Sequence, residues 1–226
     1  MKKISYILLL ILLTGCNKTE KYLDLAYQAE KEENYQLANE YLDKVLKINP
    51  NHLIALNNRG WNKFDLGDTI GALNDFEKMI LSDSTCDRGF YNRGEIFIYQ
   101  KKYNEALYDL NYVAKLINAD DYIRIEWNEN SPFLKKSKKD IEKPITNLDR
   151  LLLSRGYVNL HLDNYEKAYE DFTRCIYHNA DCVADALYYR AFCTENAEAA
   201  CEDLQRAAFK GFKVGREEYD MICSQK

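Results

Sequence analysis

Alanine returns at positions 38, 72 and 106, at even spacing, and again at 168 after nearly twice that spacing. The surrounding text returns with it: "NYQLANEYLDKVLKINP", "DTIGALNDFEKMILSDS", "KYNEALYDLNYVAKLIN" and "NYEKAYEDFTRCIYHNA". Ahead of each lies an apolar-periodic stretch of about 14 residues, so each unit reads as helix, tight turn, helix. A two-helix unit cannot bury its apolar face alone. Its neighbours must stack on it, which makes the chain quasi-one-dimensional. The long third interval exceeds the period by most of a further unit and marks an insertion, assigned to 121–148.

The period and its marker residues resemble the tetratricopeptide repeat. Gly60, Gly94 and Gly156 stand at the eighth position of their units, and Leu42, Phe76, Leu110 and Phe172 at the twenty-fourth. Pro50 stands at the thirty-second, while the other units lack that proline. The resemblance implies an all-α fold, an α-α superhelix of about five repeats. Three repeats fall in 21–120, and two more in 149–211, the fifth shortened between its helices. Gly211 would then end the last repeat helix, and 212–226 would supply a capping helix.

An arginine precedes the marker glycine in three units, and an aspartate follows that arginine at one constant interval: Arg59 with Asp75, Arg93 with Asp109, Arg155 with Asp171. In the shortened unit Arg190 and Asp203 stand closer together. The first repeat has Leu25 and Tyr41 at these positions, so both partners are present together or absent together. A guanidinium fork matches a carboxylate in two parallel hydrogen bonds. Two readings follow: ion pairs that tie the two helices of one unit, or arginines that serve a ligand.

In proteins of this repeat family the first helix of each unit lines the inner, ligand-facing surface. Carried over position by position, that surface would present Tyr27 in the first repeat, and Asn57, Trp61 and Phe64 in the second. The third would add Arg88, Tyr91, Glu95 and Tyr99. The fourth would add Arg150, Tyr157 and His161, and the fifth Tyr188. Aromatic residues and arginine are the usual anchors of protein interfaces, so the resemblance implies a protein or peptide partner. The same rings could instead form core between stacked helices. Leu23 and Tyr27 stand where the carboxylate-clamp form of the repeat wants Lys and Asn, which argues against capture of a C-terminal carboxylate.

The N-terminus reads as a leader rather than as fold. Lys2 and Lys3 precede an apolar run from Ile4 to Leu13, too short to span a bilayer as a helix, and small residues follow. The run Leu13-Thr14-Gly15-Cys16 resembles a bacterial lipobox. The implied organisation is a signal peptide over 1–15 and a lipidated Cys16 with a short tether over 16–20. This places the chain in the cell envelope, at the outer membrane facing the periplasm or the cell surface, and Asn17 after the cysteine favours the outer membrane. Export would leave six cysteines, Cys86, Cys175, Cys182, Cys193, Cys201 and Cys223, in a setting that permits disulfides. Cys201–Cys223 is the first expected pair and Cys175–Cys193 the second, with free structural thiols as the alternative. Cysteine spacing lacks Cys-x-x-Cys and there are three His, so no metal or cofactor is expected.

Without Lys2 and Lys3, 29 basic against 36 acidic residues leave a net charge of −7, a poor match to a phosphate backbone. No nucleophile motif, Gly-rich phosphate loop or metal-ligand spacing is present, so neither enzyme activity nor a small-molecule substrate is expected. The insertion opens with the alternating "YIRIEW", continues at Ser131-Pro132 as a helix start, and carries Lys135, Lys136, Lys138 and Lys139. That basic cluster could meet an acidic partner or anionic headgroups, or could be a solvated helix face.

Overall fold

The computed structural model describes residues 18–117, 148–177, 182–214 and 216–223. The leader, Cys16 and the insertion through residue 147 lie outside the described residues. Each repeat motif folds as an antiparallel helix pair. The helices are α1 (18–31) with α2 (Tyr35–Ile48), α3 (Leu53–Asp65) with α4 (Thr69–Ser82), and α5 (Asp87–Tyr99) with α6 (Tyr103–Leu116). After the insertion come α7 (Leu148–His161) with α8 (Tyr165–Tyr177), then α9 (Val183–Arg190) with α10 (Ala197–Phe209), and finally α11 (Arg216–Cys223). A short 3-10 turn, Ala191–Cys193, ends the α9 arm. Two compact units divide within α5, the first ending at Gly89 and the second beginning at Phe90.

The turns inside the pairs share one geometry. Glu33, Gly67, Lys101 and Asp163 occupy equivalent positions and all have left-handed backbones, with φ of 56°, 85°, 58° and 57°. In each turn the next amide bonds back to a carbonyl five residues earlier: Asn34 to Ala29, Asp68 to Lys63, Lys102 to Phe97, Asn164 to Asn159, at 2.8–2.9 Å. This closes the first helix with the bond pattern of a Schellman motif. Only Gly67 reaches that conformation without steric cost. Gly211 (φ 95°) ends α10 in the same way, with the Phe212 amide bonded to the Ala207 carbonyl at 3.0 Å.

Three of the second helices, α2, α4 and α10, then start on side-chain caps. Asn34 accepts from the Leu37 amide, Asp68 from Gly71, and Asn196 from Glu198 and Ala199. His52 caps α3 through Nδ1, which accepts from the Ala55 amide at 3.3 Å. Burial of the ring lowers its pKa, which favours the neutral form that can accept.

The recurring alanines are fully buried where paired helices cross: Ala38, Ala72, Ala106 and Ala168. One turn on, Leu42, Phe76, Leu110 and Phe172 are also fully buried. The marker glycines exist for these partners. A Cβ on Gly60 would stand 2.6 Å from the Phe76 ring, and one on Gly156 would stand 2.7 Å from the Phe172 ring. At Gly94, facing Leu110, the same atom would find ordinary contact at 3.4 Å.

The last arm of the second unit is covered by the C-terminal segment. Phe212 and Val214 pack on the core around Val183, Leu187 and Ala207. Tyr219 and Ile222 of α11 pack on the core around Ala191, Ala200 and Leu204. A disulfide between Cys201 and Cys223, with Cα atoms 5.1 Å apart, fastens α11 to α10.

Candidate functional site

The arginines are part of the frame. In the second unit Arg93 forks onto Asp109, with Nε and Nη2 at 2.8 Å from the two carboxylate oxygens. Arg155 does the same with Asp171 at 2.9 and 2.7 Å, and Arg190 with Asp203 at 2.7 and 2.8 Å. In the first unit Arg59 forks onto Asp75, and Lys63 adds a third contact to that carboxylate at 2.8 Å. All four aspartates are buried, so each fork supplies charge and hydrogen bonds that water cannot.

The structure adds a contact that the sequence spacing did not reveal. The remaining nitrogen of Arg59 donates to Asp43 on α2, the second helix of the preceding pair, at 2.6 Å. That of Arg190 donates to Thr173 on α8 at 3.0 Å. In these two repeats one guanidinium therefore ties its own pair together and staples it to the previous pair. The acceptor types differ, Asp in one case and Thr in the other, so no repeated residue signalled the staple.

Two stretches of the ligand-facing surface inferred from the resemblance can be described, one in each unit. In the first unit, Trp61 is half-buried, edge-on to Phe64 at 5.9 Å and tilted onto core Phe76 at 5.4 Å. Asn57 and Arg88 are half-buried, and Tyr27 is exposed with Lys31 over its ring. Trp61 thus belongs partly to the core, and Tyr27 is the freer ring of this stretch.

In the second unit, α5 and α7 lie side by side and bring Tyr91, Glu95, Arg150, Tyr157 and His161 into one region. The Tyr91 hydroxyl and Ser154 Oγ are 3.3 Å apart. Glu95 sits beside both of these groups and within the field of Arg150, and its Oε1 is buried without a hydrogen-bond partner. Burial pushes the Glu95 carboxyl above the usual glutamate range and the Tyr91 hydroxyl above the usual tyrosine range.

Along the same face His161 is exposed. Its ring lies tilted against Tyr157 at 4.2 Å and Tyr103 at 4.7 Å, with Nδ1 2.9 Å from the Tyr157 carbonyl. Tyr157 also meets Tyr189 edge-on at 5.2 Å, and Tyr99 stands 69% exposed. The region therefore gathers aromatic rings, Tyr99 and His161 exposed and Tyr91 and Tyr157 half-buried, with a sheltered carboxyl and an exposed arginine. Ser154, Tyr103 and Tyr189 were not picked out from the sequence. Tyr103 begins a second helix and reaches this face only because the turn folds it back toward α7.

Tyr188 is taken up by the C-terminal segment. Its hydroxyl donates to Glu218 at 2.9 Å, and its ring stacks on Phe212 at 4.3 Å. Burial, with that carboxylate beside it, pushes the hydroxyl up to about 12. The expected Cys175–Cys193 pairing is not formed. Cys193 donates to the Tyr189 carbonyl at 3.4 Å, and burial pushes its thiol up to about 12. Cys175 instead faces Cys182.

Comparison with known proteins agrees with this architecture. The tetratricopeptide repeat family model matches residues 22–52 and 149–182. No curated protein matches the chain in sequence. Among solved structures, the chain is similar to PilF of Pseudomonas aeruginosa (TM-score 0.68, 18% identity, covering 93% of this chain and 90% of that one). It is similar to MamA, from residue 41 to its end, of Desulfovibrio magneticus RS-1 (TM-score 0.63, 17% identity, 85% and 94%). It is also similar to YrrB, described as a TPR protein with an unusual peptide-binding site (TM-score 0.59, 18% identity, 84% and 84%). Residues 22–52 and 149–182 carry tetratricopeptide repeats, and the fold class is all-α, built of paired helices like those of the similar structures.

Proposed function

We propose that this protein is a non-enzymatic scaffold that binds a peptide segment of another protein on the first-helix face of its repeats. The observation that carries the reading is the α5–α7 region. There the exposed Tyr99 and His161 and the half-buried Tyr91 and Tyr157 share two neighbouring helices with a sheltered Glu95 and an exposed Arg150. Rigid rings contribute contact area at low entropic cost, and charges of both signs can fix a peptide's register. YrrB, a repeat protein of like fold, is described by its peptide-binding site, which supports the choice of ligand class.

We further propose that the chain works as a lipid-anchored protein of the bacterial envelope, attached through Cys16. The support is the lipobox-like Leu13-Thr14-Gly15-Cys16 behind a short apolar run. Several acyl chains at about 0.8 kcal/mol per buried methylene make such attachment effectively permanent. A second reading keeps the site and changes its permanence: a resident accessory subunit of an outer-membrane assembly or import complex. Recovery with a barrel protein after mild detergent extraction would favour that reading.

A photo-crosslinking side chain at Tyr157, compared in intact cells with one at Tyr108, tests the site. Tyr108 lies on the second helix α6 and is 69% exposed. The reading expects one discrete adduct from position 157 and none from 108, and equal labelling at both overturns it. Replacing Cys16 with Ser should move the protein from the membrane fraction to the soluble one, and continued membrane retention would refute the anchor.

A further inference from the structure

We propose that Cys175 and Cys182 are a second disulfide site, closed by thiol–disulfide exchange with a small or protein-borne disulfide donor, which covalently joins α8 to the start of α9. The two sulfurs stand 2.6 Å apart. That is well inside the contact distance of unbonded sulfurs and close to the bonded distance of about 2.05 Å. Both cysteines belong to one core cluster, around Leu152, Ala168, Phe172 and Ala186. Cys175 is fully buried within it, whereas Cys182 is half-buried at the N-cap of α9. Cys182 gives α9 no side-chain cap hydrogen bond, so its sulfur is not held in a capping role. Its other neighbour is the Asp149 carbonyl at 3.8 Å, at the start of α7. Among the described residues no group of three or more His, Cys, Asp or Glu side chains is placed to hold a metal, so these sulfurs do not read as part of a metal site.

The geometry also sets the order of events. The contact with Cys175 holds the Cys182 thiol below the ordinary range, and the same contact together with burial holds Cys175 above it. Cys182 is therefore the attacking thiolate and the one that solvent reaches. It attacks one sulfur of the donor disulfide, forming a mixed disulfide and releasing the first donor thiolate. Cys175 then loses its proton, attacks Cys182 Sγ and expels the second donor thiolate. Two electrons and two protons leave the protein, and the donor is reduced to two thiols. The new bond fixes the first residue before α9, about two turns ahead of Tyr189, whose ring packs edge-on to Tyr157 in the candidate site. Because the oxidised pair and Cys201–Cys223 both lie in the second unit, that unit would be the part of the chain whose order depends on compartment redox state.

The test uses the full chain, equilibrated with oxidised glutathione, denatured in an alkylating reagent, and digested with trypsin without reduction. No Lys or Arg lies between Arg174 and Arg190, so Cys175 and Cys182 fall in one peptide, 175–190. That peptide should be unalkylated and two hydrogens lighter than its dithiol, and should take two alkyl groups only after reduction. Full alkylation at both positions overturns the proposal, as does linkage of 175–190 to the peptide carrying Cys193. Variants check the order: Cys175→Ser should accumulate a glutathione adduct on Cys182, whereas Cys182→Ser should show none on Cys175. The reverse pattern refutes the assigned roles. The wild-type map stands independently if either variant fails to fold.

Discussion

The marker glycines are interchangeable in the sequence and unequal in the structure, and alanine substitution exposes the difference. In a helix interior, Gly→Ala should stabilise by about 1 kcal/mol through propensity alone. At Gly94 the added Cβ meets Leu110 at 3.4 Å, so nearly all of that gain should survive. For a chain of this size, about 2–4 °C of Tm accompanies each kcal/mol, so Gly94→Ala should melt about 1–4 °C higher than wild type. At Gly156 the same atom stands 2.7 Å from a fully buried phenylalanine ring, which must shift. Overpacking of this kind costs roughly 1–3 kcal/mol, so the net effect of Gly156→Ala is a loss of up to about 2 kcal/mol. Thermal melts by far-UV circular dichroism distinguish the two signs. Adding Phe172→Leu recreates the Gly94–Leu110 geometry with the methyl in place. The double variant should therefore recover about 1–2 kcal/mol relative to the sum of the single changes. Equal Tm shifts from Gly94→Ala and Gly156→Ala, or strict additivity in the double variant, would refute the crossing-contact explanation of the repeat.

Arg93→Ala leaves Asp109, whose side chain is 1% exposed, without its fork, and should cost about 3–5 kcal/mol in chemical denaturation, against about 0–1 for an exposed pair. Glu95→Gln tests the sheltered carboxyl through its pH dependence. Burial raises its folded-state pKa, so the stability linked to its protonation is complete below the unfolded glutamate value of about 4.3 and is lost as pH rises through the raised value. The glutamine variant should therefore be more stable than wild type near neutrality and lose that advantage toward acid pH. A constant difference across the range would contradict the assignment. Lys101→Gly relieves a left-handed backbone at a turn where Gly67 already occupies the equivalent position. It should stabilise by roughly 0.5–1 kcal/mol once the added freedom of the unfolded chain is counted, measured by urea midpoint.

The repeat period, the paired helices and the Arg–Asp partnership were legible in one dimension because each is a local rule repeated at a fixed interval. A glycine spaced against Phe or Leu, and an aspartate at a set interval beyond an arginine, recur whenever two helices must cross and pair in the same way. What no period announces is which neighbour a side chain meets across the stack. Arg59 reaches back to Asp43 and Arg190 to Thr173, two acceptors of different type chosen by distance alone. Cys175 lies beside Cys182 rather than Cys193 because the start of α9 folds back over α8, while Cys193 is drawn to the Tyr189 carbonyl. Tyr188 and Tyr157, both on first helices, part company because the C-terminal segment takes up Tyr188 while Tyr157 meets the exposed His161. The sequence by itself determined the helices, their pairing and the frame, since those depend on contacts within one repeat. The tertiary structure alone decided which rings remain available and which sulfurs meet, since those depend on how separate repeats and the chain's end come to lie against one another.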